Sequence, residues 1–265
     1  LKNYDFKTES DTEVLLASFI TWGKECLTRF VGMFAFCIYD TLNKEAFLAR
    51  DHFGQKPIFL YQESDRLIFS SEIKAILATG VKPIPDYETW SRYLISASYD
   101  DDSATFFKGI SQLIPGEYAI WDMQKGLRRY KYYSLSRNIG NNKSDIVEVA
   151  HMTRELLVHS AKIHMRSDVP VGVSLSGGLD SSVLLACLNL SGDINKHLRC
   201  VSLEYADSLS ESMWIEAAAS HHGLKSTLET FTSEEFLNSI KPLMWHLEAP
   251  IGGLPNCALA GLMAR

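Results

Sequence analysis

Val169-Pro170-Val171-Gly172-Val173-Ser174-Leu175-Ser176-Gly177-Gly178-Leu179-Asp180-Ser181-Ser182-Val183-Leu184-Leu185-Ala186-Cys187-Leu188 decides how the second half of this 265-residue chain folds. An apolar run, a turn of small residues and a second apolar run read as strand, glycine-rich turn and helix. Such a turn aims unpaired backbone N–H groups at whatever lies over the helix N-terminus, an end that favours negative charge. Gly177 and Gly178 let the backbone approach an anion with no side chain between. Ser176, Ser181 and Ser182 add hydroxyl donors. Asp180 adds a carboxylate, which suits an anion site when a hard cation such as Mg²⁺ bridges it to phosphate oxygens. The turn lacks the Gly-Lys-Ser/Thr ending of the common P-loop and the third spaced glycine of the dinucleotide fingerprint.

The wording of the turn resembles the PP-loop of ATP pyrophosphatases. In that family the loop holds the pyrophosphate that leaves when ATP adenylates a substrate. The competing reading is an ordinary strand-to-helix turn. Around it, strands and helices alternate. Asp145 with Glu148 resembles a capping box for a helix to about His164, with an apolar stripe of Ile146, Val149, Leu156 and Ile163. A strand over 169–175 and a helix to about Leu190 follow. Next come a strand over 198–203 and a helix over 209–222, capped by Ser208 and Glu211. Leu228 to Phe231 reads as a strand, and Thr232 with Glu235 starts a helix that Pro242 kinks or divides. This alternation predicts a parallel α/β sheet, in which ligands sit beyond the C-terminal strand ends.

The first half reads differently. Residues 10–27 form a helix capped by Ser10 or Asp11, with Val14, Leu15, Phe19 and Trp22 as its stripe. A long strand over 30–40, apolar on both faces and so expected to be buried on both, opens an antiparallel meander. Its later strands run over 46–50, 57–61 and 66–70. Short helices are expected at 71–77 and 86–97. Residues 116–122 and 127–132 read as a hairpin, and the polar stretch 134–143 as a linker. The chain is therefore expected to hold two domains, 1–137 and 143–265.

Composition narrows the function classes. The hydrophobic share is 46% and the formal net charge −6, which suits a soluble globular protein and argues against a broad nucleic-acid footprint. No run of 18 apolar residues marks a membrane span. The five cysteines are odd in number and unpaired in spacing, which suits reduced thiols in a cytoplasmic protein. The histidines lack metal-ligand spacing: His159 and His164 are five apart on a helix, and His221 and His222 lie near a helix end.

The order of motifs resembles the class II, glutamine-hydrolysing asparagine synthetases. Ser10-Asp11-Thr12-Glu13-Val14-Leu15, Gly32-Met33-Phe34-Ala35-Phe36, Arg50-Asp51-His52-Phe53-Gly54-Gln55-Lys56-Pro57 and Ser70-Ser71-Glu72-Ile73-Lys74-Ala75 match the glutaminase domain of that family. Phe106-Lys108-Gly109-Ile110 and Leu113-Pro115-Gly116 match its late segment. Arg166-Ser167-Asp168-Val169-Pro170-Val171-Gly172 and the Ser-Gly-Gly turn match the start of its synthetase domain. The resemblance implies an antiparallel β-sandwich of the N-terminal nucleophile type with flanking helices, then a parallel α/β sheet of the PP-loop, adenine-nucleotide α-hydrolase-like type, both incomplete.

Residue by residue, the resemblance implies that Leu175 contacts ATP just before the loop. Ser176, Gly177, Gly178, Asp180, Ser181 and Ser182 hold pyrophosphate, and Asp180 meets Mg²⁺. Leu203 packs on adenine or is plain sheet core, the two readings weighing equally. Asp11 binds the glutamine α-amino group or caps a helix. Asp51 and His52 are better read as turn formers than as an acid–base pair. ATP and Mg²⁺ are the implied cofactors, glutamine and aspartate the implied substrates, and a homodimer the implied assembly of the longer enzyme. Ala249, in Glu248-Ala249-Pro250-Ile251-Gly252-Gly253, and Glu204 depart from the family pattern and loosen the assignment of aspartate as acceptor.

The implied reaction begins with an N-terminal cysteine attacking the glutamine amide. Residue 1 is Leu, and Cys26 and Cys37 are internal. The expectation is of an internal fragment of a longer enzyme, inactive by itself. The alternatives are a related amidotransferase acting on another carboxylate or a sugar, and a non-catalytic nucleotide-binding module. The missing nucleophile argues against a protease of the N-terminal nucleophile type.

Overall fold

A computed structural model of the chain describes residues 1, 4–138, 145–194, 198–204, 211–230, 232–251 and 257. It divides into two compact units, Leu1–Gly140 and Asn141–Arg265.

In the first unit, helix α1 spans Asp11–Trp22. Its N-cap is Ser10, whose Oγ accepts from Thr12 N at 3.2 Å, while the Glu13 carboxylate accepts from Lys7 N and Thr8 N. The helix stops short of residue 27 because Gly23 takes φ +56°, after which Gly23–Arg29 winds as a tighter 3-10 helix. Strands β1 (Ala35–Asp40) and β2 (Glu45–Arg50) form a hairpin. Then follow β3 (Phe59–Gln62), β4 (Leu67–Ser70), α2 (Ile73–Leu77) and α3 (Tyr87–Ser96). Strand β5 (Ile110–Gln112) had no sequence signal, and the hairpin of β6 (Glu117–Asp122) and β7 (Gly126–Lys131) closes the unit.

The strands do not form one meander. They make a four-stranded antiparallel sheet, β1-β2-β6-β7, and a separate three-stranded sheet, β4-β3-β5. Alternate residues of β2 feed two cores. Ala46 and Leu48 pack with Ile58, Leu60 and Leu113 on one face, and Phe47 and Ala49 pack with Cys26, Leu27 and Tyr118 on the other. The strand buried on both faces is thus β2. Strand β1 is an edge strand, shorter than expected and only half-buried, with Tyr39 exposed.

The chain leaves the first sheet for the second at Arg50-Asp51, both buried. Asp51 Oδ1 accepts from Phe53 N (3.1 Å) and Gln55 N (3.0 Å), and Oδ2 from Lys56 N (2.9 Å) and Phe34 N (3.3 Å). The Arg50 guanidinium donates to the carbonyls of Lys56, Gly54 and Leu113 and to Gln112 Oε1. Gly54, at φ +66°, has no room for a Cβ, which would lie 2.8 Å from Pro115 Cγ and 3.0 Å from Arg50 Nε. Arg50 and Asp51 fold the turn; of the two expected turn formers Asp51 acts in it, while His52 sits edge-on to Tyr132 and Tyr133.

In the second unit, α4 (Ile146–His164) precedes β8 (Gly172–Ser174), α5 (Leu179–Ser191), β9 (Arg199–Glu204), α6 (Ser212–His221), β10 (Ser226–Thr230) and α7 (Ser233–Leu247). The sheet is parallel, in the order β10-β9-β8. Its core joins Val173, Leu175, Leu185, Leu188, Cys200, Ile215 and Ala219. Val158 and Ala161 of α4 and Met165 at its C-cap meet this core, while Ile146, Val149 and Leu156 of the expected stripe are exposed. Two apolar stripes compete on this helix, and the one spaced to reach α5 is buried.

Asp145 stands at the N-cap of α4 but its side chain makes no capping bond, whereas Thr232 and Glu235 form the full capping box of α7. Pro242 is accommodated inside α7 without dividing it. The expected cap Ser208, Phe231, Gly252 and Gly253, and residues 139–143 of the linker lie outside the described residues.

Removing the Asp51 carboxylate orphans up to four backbone donors in a buried turn. Asp51→Ala is expected to destabilise the chain by about 3 kcal/mol in urea unfolding. Burial would raise the Asp51 carboxyl, but its backbone N–H bonds outweigh that and hold it below the ordinary 3.8. Burial lowers His52 below 6.5, against the pull of Asp51. Both groups favour the folded state at neutral pH. The His52 share is lost as pH falls below 6.5 and through its lower folded value, and the Asp51 share only below 3.8. His52→Phe should flatten the upper of these two limbs in a pH series of melts.

Candidate functional site

Strand β8 ends at Ser174, and Leu175 continues its direction by donating N–H to Val201 O at 2.9 Å. Leu175 is fully buried in the sheet core. The turn then rises to the surface: Ser176, Gly178, Leu179 and Asp180 are exposed. Gly177 adopts φ +75°, and Gly178 is the N-cap of α5. A helix cannot pair the N–H groups of its first turn internally. Those of Leu179, Asp180 and Ser181 have no hydrogen-bond partner among the described residues. They lie at the C-terminal end of a parallel strand and carry the positive end of a 13-residue helix.

Two of the expected hydroxyl donors are turned inward. Ser181 Oγ and Ser182 Oγ both donate to Gly178 O, at 3.2 and 2.8 Å. Ser176 Oγ lies 3.1 Å from Ser181 Oγ and accepts from Gly178 N at 3.3 Å. The serines shape the turn, and the backbone supplies its free donors. The Asp180 side chain makes no hydrogen bond among the described residues. The described residues contain no group of three His, Cys, Asp or Glu able to hold a metal by themselves. A single exposed carboxylate beside an anion cradle fits Mg²⁺, which keeps water and phosphate oxygens as its remaining ligands. Leu203 lies half-buried on β9, in register with Glu229 of β10, an environment that serves sheet core and rim equally.

In the first unit, Asp11 is exposed in the first turn of α1, and Ser10 rather than Asp11 makes the cap bond. Asp11 lines an open groove of about 990 Å³. The groove runs beside β1, with Arg29, Lys56 and Ser71 supplying polar groups and Phe30 to Tyr39 the wall. The Ser176–Ser182 turn and Asp11 belong to different compact units.

Residues 1–133 match the family described as glutamine amidotransferase domain, and residues 152–264 the family described as asparagine synthase. The chain belongs to the asparagine synthetase family. It is 32% identical over 257 residues to a protein of Methanocaldococcus jannaschii named as a glutamine-hydrolysing asparagine synthetase, covering 94% of this chain and 48% of the relative. It is 28% identical over 251 residues to asparagine synthetase 1 of Bacillus subtilis, covering 94% and 39%. It is also 26% identical over 275 residues to the amidase chyE of Penicillium rubens, covering 97% and 40%. The chain spans about half the length of these relatives, or less. No helix among the described residues is long and apolar enough to cross a membrane.

Within this family frame, the sequence reading missed what supports the turn from below. A Cβ on Gly177 would lie 3.1 Å from Trp214 Cβ, 3.3 Å from Glu211 O and 3.3 Å from Ile215 Cγ1. The first turn of α6 is therefore pressed against the loop. The aromatic at 214 beside the buried Ile215 was the available signal, but its partner lies 37 positions away in the chain. Gly177→Ala adds a left-handed strain and tight contacts with the start of α6. It is expected to destabilise the chain by about 1–2 kcal/mol in thermal unfolding, with Gly178→Ala milder because its φ is ordinary.

Proposed function

We propose that the chain carries the nucleotide-binding part and a glutamine-binding part of an ATP-dependent amidotransferase of asparagine synthetase type. The observation that carries this reading is the exposed turn Ser176–Ser182, whose free N–H groups face outward at the mouth of a parallel sheet. In the reaction, a carboxylate oxygen of aspartate attacks the α-phosphorus of ATP, and the bond to pyrophosphate breaks. Ammonia from the glutamine amide then attacks the acyl carbon, AMP leaves, and the product is asparagine. The N–H groups of Leu179, Asp180 and Ser181 hold the departing pyrophosphate, with Gly177 and Gly178 allowing the approach. Asp180 holds Mg²⁺, which when bound neutralises phosphate charge. Leu203 borders the adenine side, Leu175 is buried in the core beneath the loop and so offers ATP no side-chain surface, and the Asp11 carboxylate pairs with the α-ammonium of glutamine.

In this reading residues 1–137 are an amidotransferase domain of the N-terminal nucleophile type, and 143–265 a PP-loop synthetase domain. Neither described thiol of the first domain serves as the glutaminase nucleophile. Burial pushes Cys26 and Cys37 up to about 11, which keeps both protonated at neutral pH. A related amidotransferase with another carboxylate acceptor is the second reading, favoured by Ala249 next to Glu248 and by the likeness to a fungal amidase.

Calorimetric titration with Mg-ATP tests the proposal. Asp180→Ala is expected to lower affinity by about tenfold or more. Equal affinity in both proteins, or none in either, overturns the assignment of the loop. Incubated with glutamine alone, the 265-residue chain is expected to release no glutamate above background.

A further inference from the structure

Trp214 stands beside Gly177 of the Ser176–Ser182 turn. It lies in the first turn of α6, where Trp214 N and Ile215 N both donate to Glu211 O, at 2.9 and 3.0 Å. Ile215 is 1% exposed and seals the core below the loop. One residue earlier, a rotation of about 100° around the helix carries Trp214 to the rim, where it is 60% exposed. Its Cβ is held against Gly177 by the backbone approach described above.

The other tryptophans all have partners. Trp22 lies under the Arg29 guanidinium, Trp90 packs on Phe106, Trp121 on the first-unit core and Trp245 on the His246 ring. Trp214 has no ring partner among the described residues. It also stands beside Gly177 of the exposed turn, on the helix that follows β9, the strand that carries Leu203. A large flat apolar ring beside a phosphate cradle matches the one apolar, flat portion of a nucleoside triphosphate, its base.

We infer that Trp214 is a base-stacking residue of the nucleotide site and sets its preference for a nucleotide over bare pyrophosphate. The inference rests on the ATP reading of the Ser176–Ser182 turn and adds a residue that the motif does not contain.

Pyrophosphate separates the two claims, because it fills the cradle without a base. The chain, Trp214→Ala, Trp214→Phe and Asp180→Ala are titrated with Mg-ATP and with Mg-pyrophosphate by calorimetry, with circular dichroism as the check on folding. Trp214→Ala should weaken ATP about tenfold and change pyrophosphate by less than about twofold. Trp214→Phe should recover most of the ATP affinity, and Asp180→Ala should weaken both ligands. Tryptophan fluorescence should be quenched by ATP in the native chain and not in Trp214→Phe. Equal weakening of ATP and pyrophosphate in Trp214→Ala shows that the ring only props the loop, and overturns the inference. So does an unchanged ATP affinity. If the native chain binds pyrophosphate but not ATP, the cradle stands and the stacking role falls. If it binds neither, both readings fall together.

Discussion

A helix leaves the N–H groups of its first turn without partners, and backbone donors in a tight loop share the same problem. The two units of this chain answer it in opposite ways. In the first, the Asp51 carboxylate reaches inward and takes four backbone donors onto its two oxygens, with almost no exposure to solvent. The four backbone donors of that turn are thereby satisfied. In the second, the serines between Ser176 and Ser182 bond to each other and to Gly178, and the donors of Leu179, Asp180 and Ser181 stay open. One carboxylate is spent on the fold, and the other, on Asp180, faces outward.

Local chemistry made much of this legible. The caps at Ser10 and Thr232 act within a few residues and stand where short-range patterns put them. The parallel sheet followed from alternating strand and helix signals. The turn Ser176–Ser182 was visible for the same reason: its glycines and its helix are contiguous in sequence. What the residues could not announce was long-range pairing. Strand β2 pairs with β6 about 70 positions on, which splits the expected meander into two sheets and moves full burial from β1 to β2. On α4, two apolar stripes were available, and only the position of α5 chose between them. Asp11 and Leu203 each carried two readings; the cap belongs to Ser10, while half-burial leaves Leu203 able to serve either role.

The family matches cover 1–133 and 152–264, so each compact unit has its own relationship to known proteins. The physical arguments for the two are also independent. The cradle rests on unpaired amides, a left-handed glycine and a neighbouring helix in the second unit. The groove of the first unit rests on an exposed carboxylate beside a half-buried aromatic strand.

Strand β1 carries a consequence of its own. Phe34 O accepts from Asp51 N, so alternation along the ladder aims the N–H and C=O groups of Ala35, Cys37 and Tyr39 away from β2. No strand among the described residues receives them. Between 35 and 39 there is neither a proline nor a lysine to discourage company. The first sheet thus ends in an open template of six backbone groups, and any extended segment that comes alongside finds its hydrogen-bonding register already laid out.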